Sequence, residues 1–343
     1  MPAAPAAGIA ASVRPDSKLP LNRRKLPGAM RLSEKLLAPG GTVLLYGTTP
    51  PREGTPDEQV QSAARKLAER IARLPVDGLI VYDLQDESAR TSVPRPFPFV
   101  RTVDARAYAG LLTGFAGKPA IPYKCVAQLD EPAWRGWLAE TARDPAVRAL
   151  AIVGRPSSGG TAYAMPLARA FALAAAHEAG FTLGAVAIAE RHGTGTAESS
   201  RMVAKIVNGC SFFVTQAIYD PEATVLLLRD YARECRERGL APRRVIFTFT
   251  PCGRPRTMAF MKWLGIAISE ATERVIFAAP SPLARSLEVC RDNLRAILAQ
   301  PGFDEVPLGV NVESVSINRD EIDASVELVD SVVEILQAAG RRG

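Results

Sequence analysis

Short apolar runs and longer amphipathic runs alternate along this chain from about residue 42 to its end. The apolar runs Thr42–Tyr46, Gly78–Tyr82, Ala120–Ala127, Ala149–Val153, Leu183–Ile188, Phe212–Thr215, Arg244–Thr248 and Gly309–Val315 predict eight strands. Between them, apolar residues recur at helical spacing over 57–73, 104–115, 131–143, 164–179, 197–207, 221–238, 255–270 and 319–338. An additional helical pattern over 281–299 precedes the last strand. Leu32–Leu37 predicts a short helix ahead of the first, ended by Ala38-Pro39-Gly40-Gly41. Strands this short, apolar throughout and each followed by a helix, belong to a parallel sheet covered on both faces. Eight such repeats match a closed (β/α)8 barrel, the TIM barrel, as a single domain over 31–343 with an extra helix before the last strand. Residues 1–30 read as a flexible N-terminal arm rich in Ala and Pro. No GxGxxG follows any strand, so an open dinucleotide-binding sheet lacks its fingerprint.

Composition narrows the class without changing it. The apolar fraction of 47% and charged fraction of 23% are those of a soluble globular protein. No apolar run is long enough to span a membrane, and the N-terminus lacks the apolar core of a secretory signal, which predicts a cytoplasmic protein. The net charge of +6 lacks the aromatic-interleaved basic stripe of a nucleic-acid surface; attraction to an anionic small molecule is the milder reading. Cys125, Cys210, Cys235, Cys252 and Cys290 contain no CxxC pair, so neither a metal site nor a disulfide framework is expected.

In a parallel barrel the site is built from the loops after the strands. Here those loops hold Gly47-Thr-Thr-Pro-Pro-Arg52, Asp83 to Thr91, Gly154-Arg155-Pro156, Glu190 with His192, Gln216, Thr250 to Gly253, and Ser316-Ile-Asn-Arg319. Gln216 ends an apolar strand, and its amide can both donate to and accept from a heterocycle edge. Asp83, Asp86 and Glu87 form the clustered carboxylates of the expected mouth, where crowding can raise one of them for acid/base work, although a solvated loop has the same composition. His192 reads equally as a ligand contact and as a solvated loop histidine, whereas His177 falls late in a helix, where a dipole contact explains it. Arg319 either pairs a carboxylate of a ligand or starts the last helix. Gly193-Thr-Gly-Thr196 ahead of a helix is a weak phosphate-binding pattern.

Several of these stretches together resemble the methylenetetrahydrofolate reductases, flavin-dependent barrel enzymes of one-carbon metabolism. The residues that carry the resemblance are Glu190-Arg191-His192, Lys205-Ile-Val-Asn-Gly209, Phe212-Phe-Val-Thr-Gln-Ala-Ile-Tyr-Asp220, Ile317-Asn-Arg-Asp-Glu321 and Pro50-Pro51-Arg52. The resemblance runs over about 32–338 and is strongest in 190–220. It implies that Gln216 holds the pterin edge of a folate, with Asn318 and Arg319 toward its aminobenzoate–glutamate end. Arg90, Thr91, His192 and Lys205 would follow the tail of FAD, with Tyr123, Gly154 and Arg155 at its ring end. NADH or NADPH would supply the hydride, and a homo-oligomer or partner enzyme is compatible with the fold. Three departures stand out. Gly47 takes the place of the family's first-strand glutamate, Arg155 replaces an acid after the fourth strand, and Tyr123 and Ile188 replace a histidine and a tyrosine. A substitute acid is therefore expected, with Asp83, Asp86 and Tyr46 as candidates. The alternatives are a divergent folate-binding paralogue without flavin chemistry, in one-carbon transfer or delivery to a partner protein, and a barrel with unrelated chemistry.

Overall fold

The structure is a computed structural model that describes residues 27–87, 91–154, 165–193, 195–300 and 305–342. Eight parallel strands close into a barrel in chain order: β1 (Val43–Thr48), β2 (Gly78–Val81), β3 (Ala120–Cys125), β4 (Ala149–Val153), β5 (Thr182–Ala187), β6 (Phe212–Ala217), β7 (Arg244–Phe249) and β8 (Leu308–Glu313). The helices are α1 (Pro27–Leu37), α2 (Asp57–Ile71), α3 (Ala105–Ala116), α4 (Glu131–Ala142), α5 (Leu167–Ala175), α6 (Glu198–Val207), α7 (Pro221–Glu237), α8 (Pro255–Trp263), α9 (Glu270–Phe277), α10 (Pro282–Leu298) and α11 (Arg319–Ala338). The barrel is the one the periodicity predicts.

Capping chemistry explains many of the boundaries. Asp104, Asp130, Asp220 and Ser269 each accept a backbone N–H in the first turn of the helix that follows, and Gly117 closes α3 with φ 64°. Two expectations need correction. The pattern over 255–270 is not one helix: α8 stops at Trp263, Gly265 takes φ 84°, and Ser269 caps the separate helix α9. Two helices, α9 and α10, thus follow α8 before the last strand, where one extra was expected. His177 lies beyond the end of α5 and not within it; there its Nδ1 accepts the Ala179 N–H at 3.2 Å and its ring packs on Phe181. At the start, α1 begins at Pro27, earlier than the expected Leu32; residues 1–26 of the arm lie outside the described residues.

Because side chains alternate along a strand, one parity fills the barrel axis and the other meets the helices. Val43, Leu45, Ile80, Ile121, Tyr123, Ala151, Phe212, Val214 and Ile246 form the axial cluster; Leu44, Tyr46, Leu79, Val81, Leu150 and Phe213 belong to the outer one. Leu32 and Leu36 of α1 join the axial cluster and plug the barrel floor. Arg244, at the start of β7, locks that plug. Its buried guanidinium donates to the carbonyls of Ala38 (2.6 Å), Gly41 (2.8 Å) and Gly40 (3.2 Å), and also to that of Leu308.

The axis is too narrow for a large side chain from every strand. Gly184 on β5 is the register partner of Phe212 on β6, and a Cβ at Gly184 would lie 2.3 Å from the Phe212 ring. Gly184→Ala should therefore cost about 1–3 kcal/mol by overpacking, read as a lower urea midpoint. Gly136→Ala, in the interior of α4 with nothing near its Cβ position, is the matched control and should raise the midpoint slightly.

Candidate functional site

The C-terminal ends of the strands form the mouth, and its axial positions are polar where those below are apolar. On β8, Asn311 and Glu313 follow Gly309 at the period of two that keeps them facing inward. Thr248 continues Ile246 on β7, and Tyr82 continues Ile80 beyond β2. The Tyr82 and Tyr123 rings meet edge to face at 4.9 Å. Asn311 Nδ2 donates to the Tyr82 hydroxyl at 3.0 Å and lies 3.3 Å from the Glu313 carboxylate and 3.4 Å from Thr248 Oγ1. Tyr82 in turn hydrogen-bonds Glu313.

This network changes the chemistry of Glu313. Burial penalises its charged form and pushes the carboxyl up to about 7, against smaller opposing effects of the hydrogen bonds from Tyr82 and Asn311. Glu313 is thus a carboxylic acid held near its proton-transfer point at neutral pH. The same burial pushes the Tyr82 and Tyr123 phenols upward, so they remain hydroxyls.

Gln216 leaves the end of β6 at a register irregularity between Val214 and Ala217. Its Nε2 donates to the Leu264 carbonyl at 3.3 Å, while its Oε1 is buried without a hydrogen-bond partner. Asn311 Oδ1 is buried and unpartnered in the same way. Two orphaned amide acceptors on β6 and β8, separated only by β7, are a costly arrangement for an empty apolar core and a suitable one for a ligand that brings N–H groups. Beside Gln216, Glu190 Oε1 accepts the Ala267 N–H at 3.3 Å, which ties the end of β5 to the turn after α8, and burial raises this carboxyl too.

A long segment between β2 and α3 borders the mouth. Its far end pairs with the loop after β1 through Glu53 N–H to Arg101 O (2.8 Å) and Val103 N–H to Pro51 O (2.9 Å). Its middle is fastened to α8: Trp263 Nε1 donates to Val93 O at 2.9 Å, Arg256 to Pro96 O at 2.7 Å, and Phe97 meets Phe260 at 5.4 Å. Arg95 lies over the Phe260 and Trp263 rings at 5.2 and 5.0 Å.

The residues nominated from sequence divide into groups. Gln216 and Tyr123 stand at the mouth. Asp83 stands on its rim, where it accepts the Cys125 N–H at 2.8 Å and is raised by burial; Gly154 O is the acceptor, at 3.6 Å, for Cys125 Sγ. Asp86 is an exposed residue of the loop, and Thr91 Oγ1 accepts the Val93 N–H. Tyr46, a candidate acid, must be corrected: strand parity turns it away from the mouth onto α11, where its hydroxyl meets Ser325 Oγ at 2.7 Å. Lys205 donates to the Val186 carbonyl at 2.7 Å and lies 3.7 Å from buried Glu198. His192 Nε2 meets Asp230 of α7 at 2.8 Å. Asn318 hydrogen-bonds Ser316 and Glu321, a buried carboxylate that also accepts from Gly253 N–H at 3.0 Å and Thr257 at 3.2 Å. Arg319 is 88% exposed at the start of α11, 3.4 Å from Asp323. Arg90 and Arg155 lie outside the described residues. Glu198, in the first turn of α6 after the Gly193–Thr196 loop, is buried and accepts the Ile188 N–H at 3.3 Å, and Thr194 of that loop lies outside the described residues.

Glu313 was missed from sequence. The available signal was a carboxylate two residues after an asparagine inside an otherwise apolar strand. Among the described residues no group of three or more His, Cys, Asp or Glu could hold a metal, all five cysteines are free and buried, and no helix is long and apolar enough to cross a membrane.

The raised carboxyl has a stability consequence. A native-state value near 7 against an ordinary 4.5 means that the folded chain holds this proton more tightly than the unfolded one. Stability from this site is therefore lost as pH rises from about 4.5 through about 7, by up to about 3 kcal/mol. Glu313→Gln should remove that slope and stabilise the protein at about pH 8 but not at about pH 4, as read by urea unfolding at both values.

No family model and no curated protein matches the chain. Among solved structures it is similar to an uncharacterized protein from Clostridium thermocellum that binds two copies of 5-methyl-5,6,7,8-tetrahydrofolic acid. The two share 30% identity and a TM-score of 0.75 over 88% of this chain and 98% of that one. A 2,3-dimethylmalate lyase of the PEP mutase/isocitrate lyase superfamily follows at 12% identity and a TM-score of 0.47, over 92% of this chain and 86% of that one. A spore coat polysaccharide biosynthesis protein from Bacillus subtilis reaches 11% and 0.46, over 88% and 71%. At those scores neither bears on function. The identity and coverage of the first likeness are of a different order, and the chain belongs to the same family as the Clostridium thermocellum protein.

Proposed function

We propose that this protein binds a reduced folate at the barrel mouth and acts on it as an enzyme of one-carbon metabolism. The observation that carries the reading is Gln216, whose buried Oε1 has no partner in the protein and whose place at the end of β6 suits the N–H edge of a pterin. The tetrahydrofolate bound by the Clostridium thermocellum relative supports the ligand class. Its methyl form is what reduction of a methylene-folate yields, which supports the narrower reading of a methylenetetrahydrofolate-reductase-like oxidoreductase. In that reading a hydride from NADH or NADPH reaches the bridging carbon of a methylene-folate, and the net reaction also consumes one proton.

FAD is the cofactor that the resemblance implies, and two side chains nominated for its tail, Lys205 and His192, fit it poorly. Lys205 has given its ammonium to Val186 O and Glu198, and His192 has given its Nε2 to Asp230, which leaves only its buried Nδ1 without a partner. Glu198 is buried as well, where it accepts the Ile188 N–H at 3.3 Å and holds Lys205 from the side. The same observations favour the second reading, a folate-binding paralogue without flavin chemistry.

Two measurements test this. Titration with 5-methyltetrahydrofolate should show saturable binding, and Gln216→Ala should weaken it about 10-fold or more, the cost of losing a buried hydrogen bond to the ligand. Unchanged affinity in that variant would remove Gln216 from the site. The purified protein should be colourless and take up no FAD, while a nicotinamide is oxidised only when methylene-folate is present. A flavin spectrum that bleaches with NADH or NADPH would restore the flavin route, and a folate-binding protein that oxidises no nicotinamide would leave the paralogue.

A further inference from the structure

Gly47 and Glu313 are register partners on the adjacent strands β1 and β8. A Cβ at position 47 would lie 2.9 Å from Glu313 Oε2, 3.0 Å from Glu313 Cβ and 3.0 Å from the Tyr82 ring. At this level of the axis there is room for one side chain from the two strands, and it comes from β8. Resemblance to the methylenetetrahydrofolate reductases leads one to expect a glutamate on the first strand, at the place Gly47 now holds. The carboxylate has not been lost from that place. It arrives there from the neighbouring strand.

We propose that Glu313 is the proton donor of the site, an acid transposed from the first strand to the eighth, with Gly47 as the vacancy that admits it. The inference rests on the folate reading above. In the step assigned to it, the Glu313 carboxylic acid gives its proton to one of the two nitrogens that hold the methylene bridge of the folate. That carbon–nitrogen bond breaks, and its electron pair stays on the protonated nitrogen. The carbon, now an iminium on the other nitrogen, accepts the hydride of the nicotinamide, which leaves oxidised. Glu313, half-buried at the open end of the barrel, regains its proton from solvent.

The surroundings suit this role. Tyr82 hydrogen-bonds the carboxyl while accepting from Asn311, so its orientation is held from β2 and β8 together. The titratable groups that face it are Tyr82 from β2 and Tyr123 from β3, with Tyr46 behind β1, and burial keeps all three as neutral phenols. No cation is among the described groups that set its proton affinity, and that affinity lies near neutrality. Asp83, the acid nominated from sequence, is instead engaged by the Cys125 N–H on the rim.

The test uses the full chain and titrates 5-methyltetrahydrofolate from about pH 5 to about pH 9, with methylene-folate reduction by NADH and NADPH measured alongside. Wild-type affinity should fall as pH rises past neutrality, as the carboxyl loses the proton it shares with the ligand. Glu313→Gln keeps a donor but cannot ionise. It should bind within about 3-fold of the wild type with the pH dependence gone, while reduction falls about 100-fold or more. The double variant Gly47→Glu with Glu313→Gly returns the carboxyl to the first strand and should recover part of the lost rate. A Glu313→Gln protein that keeps both the wild-type pH profile and its rate overturns the inference and leaves the folate reading intact. A folded wild-type protein that binds no folate overturns the folate reading itself.

Discussion

Space along the barrel axis is the constraint on which the rest of this structure depends. Eight strands bring their inward side chains to one line, and adjacent strands present them side by side at the same height. A large group on one strand is therefore matched by a glycine on its neighbour. Phe212 lies against Gly184, Ile246 against Gly309, and Glu313 against Gly47. The first two pairs fill the axis with hydrocarbon. The third uses the same steric rule at the mouth to admit a carboxylate.

What happens at the two ends follows from this packing. The floor is sealed by Leu32 and Leu36 and locked by Arg244, whose donors are consumed by carbonyls of the turn before β1 and of Leu308. Burial lowers the proton affinity of that guanidinium to about 10, still well above neutrality, so the lock stays charged. At the mouth the burial is incomplete, and the polar groups are fewer than their hydrogen-bonding capacity requires. Gln216 and Asn311 keep unpartnered oxygens, and Glu313 keeps a proton that water would have taken from it. One end of the barrel is satisfied and inert; the other is unsatisfied and has capacity for a ligand. The α8–α9 unit and the segment before α3 stand around that second end.

Local signals in the chain were enough to determine the barrel. Short runs that are apolar throughout, such as Ala149–Val153, the period of 3.6 between them, and caps such as Asp104 and Ser269 are properties of neighbouring residues, legible without knowing the fold. Gln216 was legible for the same reason, as a polar end on an apolar strand. The break at Gly265 was equally local, and a reading that weighed glycine at a helix end more heavily would have separated α8 from α9.

Only the tertiary structure decided which polar groups answer one another. Lys205 with Val186 and Glu198, His192 with Asp230, and Tyr46 with Ser325 are pairings across elements, and each sets the direction of a side chain whose position in the sequence suggested a different one. Gly47 beside Glu313 is the clearest case, since the two positions are distant in the chain and become neighbours only when β8 closes against β1. A strand's alternation determines that a side chain points inward. Barrel closure determines what it finds there, because register between strands is set by the packing of the whole ring and by no segment alone.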